Sequence, residues 1–120
     1  MDTVDAAPTL SSPLGRISIA GDAIAQIVAH VAAEAYGVVG MSARGLGRLL
    51  PGERGNRKAI EIAREPEGVR VDLHVVVEYG LNLTEVASTL RNRVAYEVER
   101  LTGLKVSTIE VHIDDVRRSA

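Results

Sequence analysis

The sequence predicts an α+β fold: a two-layer β-α-β-β-α-β sandwich in which two amphipathic helices cover one face of a four-stranded, mainly antiparallel sheet. Apolar residues recur at helical spacing in two segments, and they alternate with polar residues in the segments predicted as strands. The chain has 120 residues, enough to bury one core. That core must be aliphatic, because the chain has three Tyr and neither Phe nor Trp.

The first strand and the first helix follow a short N-terminal tail. Residues 1–14 are acidic, small and interrupted by two prolines, which predicts a disordered tail. Ile17 and Ile19 alternate with polar residues and predict the first strand. Asp22 is the predicted N-cap of a helix that ends near Met41, after two glycines.

Two further strands are predicted on either side of the turn Pro66–Gly68. Ile60 and Ile62 of the first of them are expected to point inward. On the second strand, one face carries Val69, Val71, Leu73, Val75, Val77 and Tyr79, and the other carries Arg70, Asp72, His74 and Glu78. A polar outer face indicates a sheet that helices cover on one side only.

The second helix and the last strand complete the domain. Asn82 and Glu85 resemble a capping box, and Gly103 is suited to end the helix. The apolar stripe of this helix is Leu83, Val86, Ala87, Leu90, Val94, Val98 and Leu101. The last strand alternates Ile109, Val111 and Ile113 inward with Glu110, His112 and Asp114 outward. A single domain is therefore expected over residues 15–116, with a tail over 117–120, and the order of the strands in space stays open.

Residues 42–58 are predicted to be a long, mobile connection from helix to strand, rich in glycine and arginine. The glycines do not form a phosphate-binding loop, because Gly52 is followed by Glu53 and Arg54 instead of Lys and Ser or Thr. The candidate partner-binding or anion-binding residues are Arg44, Arg48, Arg54, Arg57 and Lys58. The candidate interaction hydrophobics are Leu46, Leu49 and Leu50, together with Val76, which is expected to point outward from its strand.

Catalytic, cofactor and metal sites are not predicted, so the protein is expected not to be an enzyme. Cysteine is absent, and no nucleophile elbow or short metal-ligand spacing occurs. A metal site built from outward strand residues would depend on the unknown strand order. Its ligands would be His74 and His112 with Asp72, Glu110 and Asp114.

Charge and hydropathy limit the other function classes. The net charge of −2 and the lack of stacking aromatics argue against a nucleic-acid partner. A weak nucleic-acid-binding module that uses the basic residues of 44–58 is the alternative function. No apolar run approaches the roughly 20 residues of a membrane span, and no signal peptide is evident. A soluble chain is expected, and the absence of cysteine fits the cytosol.

Four segments together resemble the alkaline shock protein family of bacterial envelope stress response proteins. They are "GRISIA", "YGVVGMS", "VVVEYGLNLTEVA" and "VERLTGLKVSTIEVHIDDV", and the resemblance covers Gly15 to Val116. It implies a non-catalytic cytoplasmic protein of Gram-positive bacteria that responds to alkaline or envelope stress. It also implies self-association, attachment near the membrane through an integral membrane partner, and no cofactor.

Overall fold

A computed structural model describes residues 9–42 and 59–118 of the chain. The elements in chain order are β1 (Thr9–Ser12), β2 (Gly15–Ser18), α1 (Gly21–Glu34), β3 (Val38–Met41), β4 (Ile60–Glu65), β5 (Gly68–Glu78), α2 (Leu83–Thr102) and β6 (Val106–Arg117). The α+β class is confirmed. The predicted order of elements is wrong, because β1 and β3 are additional strands.

The N-terminal strands form a hairpin of their own. β1 pairs antiparallel with β2 in a two-stranded sheet that is separate from the main sheet. The prediction of a disordered tail over residues 1–14 is therefore wrong for Thr9–Ser12, while residues 1–8 lie outside the described part. The sequence did not predict β1 because this strand has few apolar residues of its own. Its backbone hydrogen bonds are made with β2. Leu10 anchors the hairpin by packing against the core.

Helix α1 is shorter than predicted, and a strand follows it. The helix ends at Glu34, and the chain turns at Gly37, whose φ of +86° is one that other residues rarely adopt. β3 then pairs with β5, an interaction between residues distant in sequence that the local pattern did not reveal. The N-cap is Ala20 and not Asp22, which lies in the first helical turn, where its charge suits the helix dipole.

Strand β5 is the centre of the four-stranded sheet. β6 pairs with one edge of β5 along almost its full length, from Val69 to Glu78, and the pairing is parallel. The other edge of β5 is occupied by two strands, both antiparallel to it. β4 pairs with its first half and β3 with its second half, so β4 and β3 follow one another along that edge. Two of the three pairings are thus antiparallel. The parallel third follows from α2, which carries the chain back to the starting end of the sheet.

The shared edge changes the interpretation of residues 42–58. Met41 lies opposite Val75 and Ile60 lies opposite Leu73. These β5 residues are two positions apart, about 7 Å along a strand. The segment therefore connects two strands at neighbouring points of one sheet edge, and the predicted helix-to-strand connection is wrong.

The core lies between the two helices and one face of β5. Val69, Val71, Leu73, Val75 and Val77 are at most 1% exposed, as their alternation predicts. The helical residues that pack on them include Ile24, Val28, Val86, Leu90, Val94 and Val98. Three residues that were predicted to face inward are exposed. Tyr79, just beyond β5, is 59% exposed, and Leu83 and Leu101, near the two ends of α2, are 39% and 54% exposed.

The ends of α2 are those that the sequence predicts. The side chain of Asn82 accepts a hydrogen bond of 3.0 Å from the backbone N–H of Glu85. At the other end, Gly103 adopts a left-handed conformation with φ +78°, and its N–H donates to the Glu99 carbonyl at 2.9 Å. β6 continues to Arg117, one residue beyond the predicted end of the domain.

Leu90→Ala is expected to lower the free energy of unfolding by about 2–5 kcal/mol, because Leu90 is 1% exposed and its truncation leaves a cavity. Leu101→Ala in the same helix is the matched control and is expected to cost less than about 1 kcal/mol, because that side chain is half exposed. Urea unfolding followed by circular dichroism measures both. Equal losses would contradict the assignment of the buried face.

Candidate functional site

Eight of the nine predicted interaction residues lie outside the described part of the chain. They are Arg44, Leu46, Arg48, Leu49, Leu50, Arg54, Arg57 and Lys58. The ninth, Val76, points away from the helices, as predicted, but it is only 4% exposed. Val76 therefore offers almost no apolar surface to a partner, and its role in an interaction stays a prediction.

The parallel pairing of β5 with β6 brings polar residues of the two strands together on the open face of the sheet. Asp72 lies opposite Glu110, and His74 lies opposite His112. The sequence predicts that all four point outward from their strands, but whether they meet depends on the order of the strands. Together with Ser42, Arg70 and Asp114 they make a connected set of side chains, here called the open-face network.

Arg70 links the two strands at one end of this network. Its Nε donates to Asp72 Oδ2 at 3.0 Å, and its Nη2 lies 3.1 Å from Glu110 Oε1. Two carboxylates on adjacent strands would repel each other without a cation between them. The guanidinium supplies that positive charge and holds both carboxylates in place.

Two stacked histidines occupy the middle of the network. The rings of His74 and His112 are 4.4 Å apart between centroids and inclined by 12°. His74 Nδ1 lies 2.9 Å from Asp114 Oδ2, and His112 Nε2 lies 3.3 Å from Asp72 Oδ1. The Ser42 hydroxyl donates to the same Asp114 oxygen at 2.6 Å, which ties the end of β3 to the far strand.

The electrostatics of the network favour charged side chains. Burial alone would raise the pKa of the Asp72 carboxyl, but hydrogen bonds from Arg70 and His112, and their charges, lower that pKa below its ordinary value. The hydrogen bond to Asp72 and its charge raise the pKa of Arg70. Both shifts stabilise an ion pair, and neither moves a group toward neutral pH, where general acid–base catalysis operates.

The open face as described is acidic. Glu61 of β4 lies beside Asp72, so a row of carboxylates crosses three strands at Glu61, Asp72 and Glu110. Asp114 adds a further carboxylate near the histidines. Arg70, a permanent cation on this face, lies between Asp72 and Glu110. A phosphate backbone or an anionic lipid surface is disfavoured on such a face.

Three groups of the network could also act as metal ligands. One ligand atom from each of Asp72, Glu110 and His112 lies within 4.8 Å of the others. A divalent cation there would compete with Arg70, whose guanidinium already contacts both carboxylates. The donor set fits a metal only if Arg70 moves away. The existing contacts therefore favour an ion-pair network over a metal centre.

Among the residues that the structure describes, neither helix is long and apolar enough to cross a membrane.

Comparison with known proteins identifies the family. The model of the alkaline shock protein family, whose description gives a "cell envelope-related function", matches residues 9–118, nearly the whole chain. The chain belongs to the alkaline shock protein family. The resemblance found in the sequence is thereby confirmed, and a cell envelope-related function is the part of the expected function that the match supports.

Two relatives show how far the similarity extends. The uncharacterized protein YloU of Bacillus subtilis is 30% identical over 113 residues, which cover 90% of this chain and 93% of YloU. The uncharacterized protein Spy1614 of Streptococcus pyogenes serotype M6 is 27% identical over 107 residues, covering 86% and 88% of the two chains. No solved structure matched the chain.

Asp72→Asn is expected to lower the free energy of unfolding by about 1–2 kcal/mol at pH 7, because it weakens charge-assisted hydrogen bonds of a side chain that is 21% exposed. The folded-state pKa of Asp72 lies below the unfolded value, so its contribution is present above about pH 4 and is lost as pH falls through the folded pKa. The difference between wild type and Asp72→Asn should therefore shrink in acid.

Urea unfolding at a series of pH values from neutral to acidic measures this difference. Glu67→Gln is the matched control, since Glu67 is exposed in the turn between β4 and β5. Glu67→Gln should change the free energy of unfolding only slightly at every pH. A loss for Asp72→Asn that stays constant down to strongly acidic pH would contradict the proposed role of the ionised carboxylate.

Proposed function

We infer that this member of the alkaline shock protein family acts without catalysis in the envelope or alkaline stress response, through contacts with copies of itself and with a membrane-anchored protein partner. The match of the family model to residues 9–118 carries the envelope role. The contact mechanism is supported by the properties of the described surface.

The open-face network supports a non-catalytic role. Its carboxylates and histidines contact one another or Arg70, as in the pairs His74–Asp114 and Arg70–Glu110. A general base needs a pKa near the working pH, whereas the shift at Asp72 keeps that group ionised. Each of these ionised groups lies next to a group of opposite charge or a hydrogen-bond partner. Such pairs stabilise a surface, but they do not supply the proton transfer that a reaction site needs.

The acidic character of the same face favours a protein anchor over direct lipid adhesion. The cytoplasmic surface of a membrane is negatively charged, so the carboxylates of Glu61, Asp72 and Glu110 would be repelled by it. A protein partner with basic or polar groups would not meet this barrier. Localisation in the cytoplasm next to the envelope, through such a partner, follows from this proposal.

The described residues do not favour the nucleic-acid alternative. Binding across the open face would need stacking aromatics and positive charge. That face instead carries two histidines, two arginines (Arg70 and Arg117) and several carboxylates. The basic residues between Arg44 and Lys58 lie outside the described part, so this alternative is not proposed.

Sedimentation with membranes tests the proposed anchoring. The purified protein is expected to pellet with membranes from its own bacterium and to lose this binding when the membranes are first treated with protease. Vesicles made from the extracted lipids are the matched control and should not pellet it. Binding to these vesicles equal to the binding to native membranes would overturn the protein anchor.

Chemical crosslinking in stressed cells, followed by affinity capture, gives a second measurement. The expected products are a homo-oligomer and an adduct with an integral membrane protein. A protein that stays monomeric at high concentration and forms no adduct with an envelope protein would contradict the proposed function. Binding of DNA or RNA with a strong salt dependence would favour the alternative function instead.

A further inference from the structure

Among the described strands, β6 has one edge without a pairing partner. One edge of this 12-residue strand is occupied by β5, and within residues 9–42 and 59–118 no other strand pairs with it. The free backbone N–H and C=O groups of such an edge readily accept a further strand. Edge strands are often protected by bulges or charges, so the regularity of this edge decides whether pairing is feasible.

A regular stretch lies in the middle of that edge. The register with β5 shifts at two places, where Ser107 and Asp114 are the extra residues in β6. Between these bulges the pairing is continuous from Thr108 to Ile113, which is the typical length of a strand. Six residues of β6 are therefore available for regular pairing, and the two bulges mark where this stretch begins and ends.

An incompletely covered apolar stripe accompanies this stretch. Ile109, Val111 and Ile113 point to the helix side but are only partly buried, whereas their β5 neighbours, Val71, Leu73 and Val75, are fully buried. The three β6 side chains line a groove beside α2, which also contains Ala87 and Leu83, the latter 39% exposed. The core thus reaches the edge of the sheet without a covering element among the described residues.

We propose that β6 of a second copy of this chain pairs antiparallel with this edge, around a two-fold axis at Val111, to form a continuous sheet across the dimer. This proposal names the surface for the self-association that the proposed function includes, and it rests on that function. The same patch then serves both copies, as closed two-fold symmetry requires.

Self-complementarity favours this register. With the axis at Val111, Ile109 faces Ile113 of the second copy, which closes the apolar groove on the helix side. On the open face, Glu110 faces His112 of the second copy, and the contact occurs twice. When the axis passes through a residue, side chains that lie opposite each other point to the same face of the sheet. Apolar residues therefore meet apolar residues, and polar residues meet polar residues.

The neighbouring registers are less favourable. An axis at Glu110 places that carboxylate against its own copy, and an axis at His112 places Glu110 against the acidic Asp114 of the second copy. Like charges directly opposite one another destabilise a sheet. A shift that places the axis between two residues would bring apolar and polar faces together.

The absence of cysteine from the chain permits a direct test by disulfide formation. In the full-length chain, Val111→Cys would put the two substituted positions opposite each other, with Cα atoms about 4.5–5.5 Å apart, within disulfide range. Mild oxidation is expected to crosslink this variant about tenfold faster than Glu67→Cys, an exposed control in the turn between β4 and β5. Circular dichroism checks that each variant folds.

The register is tested with two further variants. Ile109→Cys and Ile113→Cys should each crosslink slowly alone, because the two-fold axis separates position 109, and likewise position 113, from its own copy by about 14 Å along the strands. A mixture of the two variants should crosslink rapidly, since positions 109 and 113 face each other. Rapid crosslinking of Ile109→Cys alone would overturn the proposed register.

Sedimentation of the wild-type chain separates the interface from self-association in general. A dimer in solution with no preferential crosslinking at position 111 or in the 109/113 mixture would overturn the β6 interface and leave self-association standing. A monomer at high concentration with no crosslinking at any position would overturn both the interface and the self-association. A dimer with both predicted crosslinks supports the proposal.

Discussion

Burial of one face of β5 beneath the two helices is the interaction on which the rest of the described structure depends. Val71, Leu73 and Val75 are fully buried there, and three other strands pair with the edges of the same strand. Because side chains alternate along a strand, this burial directs Asp72 and His74 to the opposite face. The position of the core therefore also determines where the polar residues lie.

The open-face network is a consequence of how α2 returns the chain. A helix between two strands makes β6 parallel to β5, and the register then places Glu110 beside Asp72 and His112 beside His74. Carboxylates would repel in this arrangement, but Arg70 bridges them and the histidines stack and pair with acids. The result is an acidic surface whose charged groups are paired with one another, and this surface supports the proposed contact function.

The two faces and the edge of the sheet suggest a division of roles. The helix face is the core, the open face is polar and acidic, and the β6 edge carries a partly exposed apolar stripe with Val111 at its centre. Membership of the alkaline shock protein family links the chain to the cell envelope. The edge and the charged face are separate surfaces, so the proposed second copy and the proposed protein anchor would not compete for one site.

The sequence by itself determined the α+β class, the buried faces of β5 and α2, and the ends of α2 at Asn82 and Gly103, because these follow from local periodicity and capping. The sequence did not predict β1 and β3, because these four-residue strands form through pairing with β2 and β5 and have no clear pattern of their own. Only the tertiary structure decided that His74 stacks on His112 and that Arg70 joins Asp72 to Glu110. Those contacts depend on which strands are neighbours and in what register, and 38 positions of the sequence separate His74 from His112.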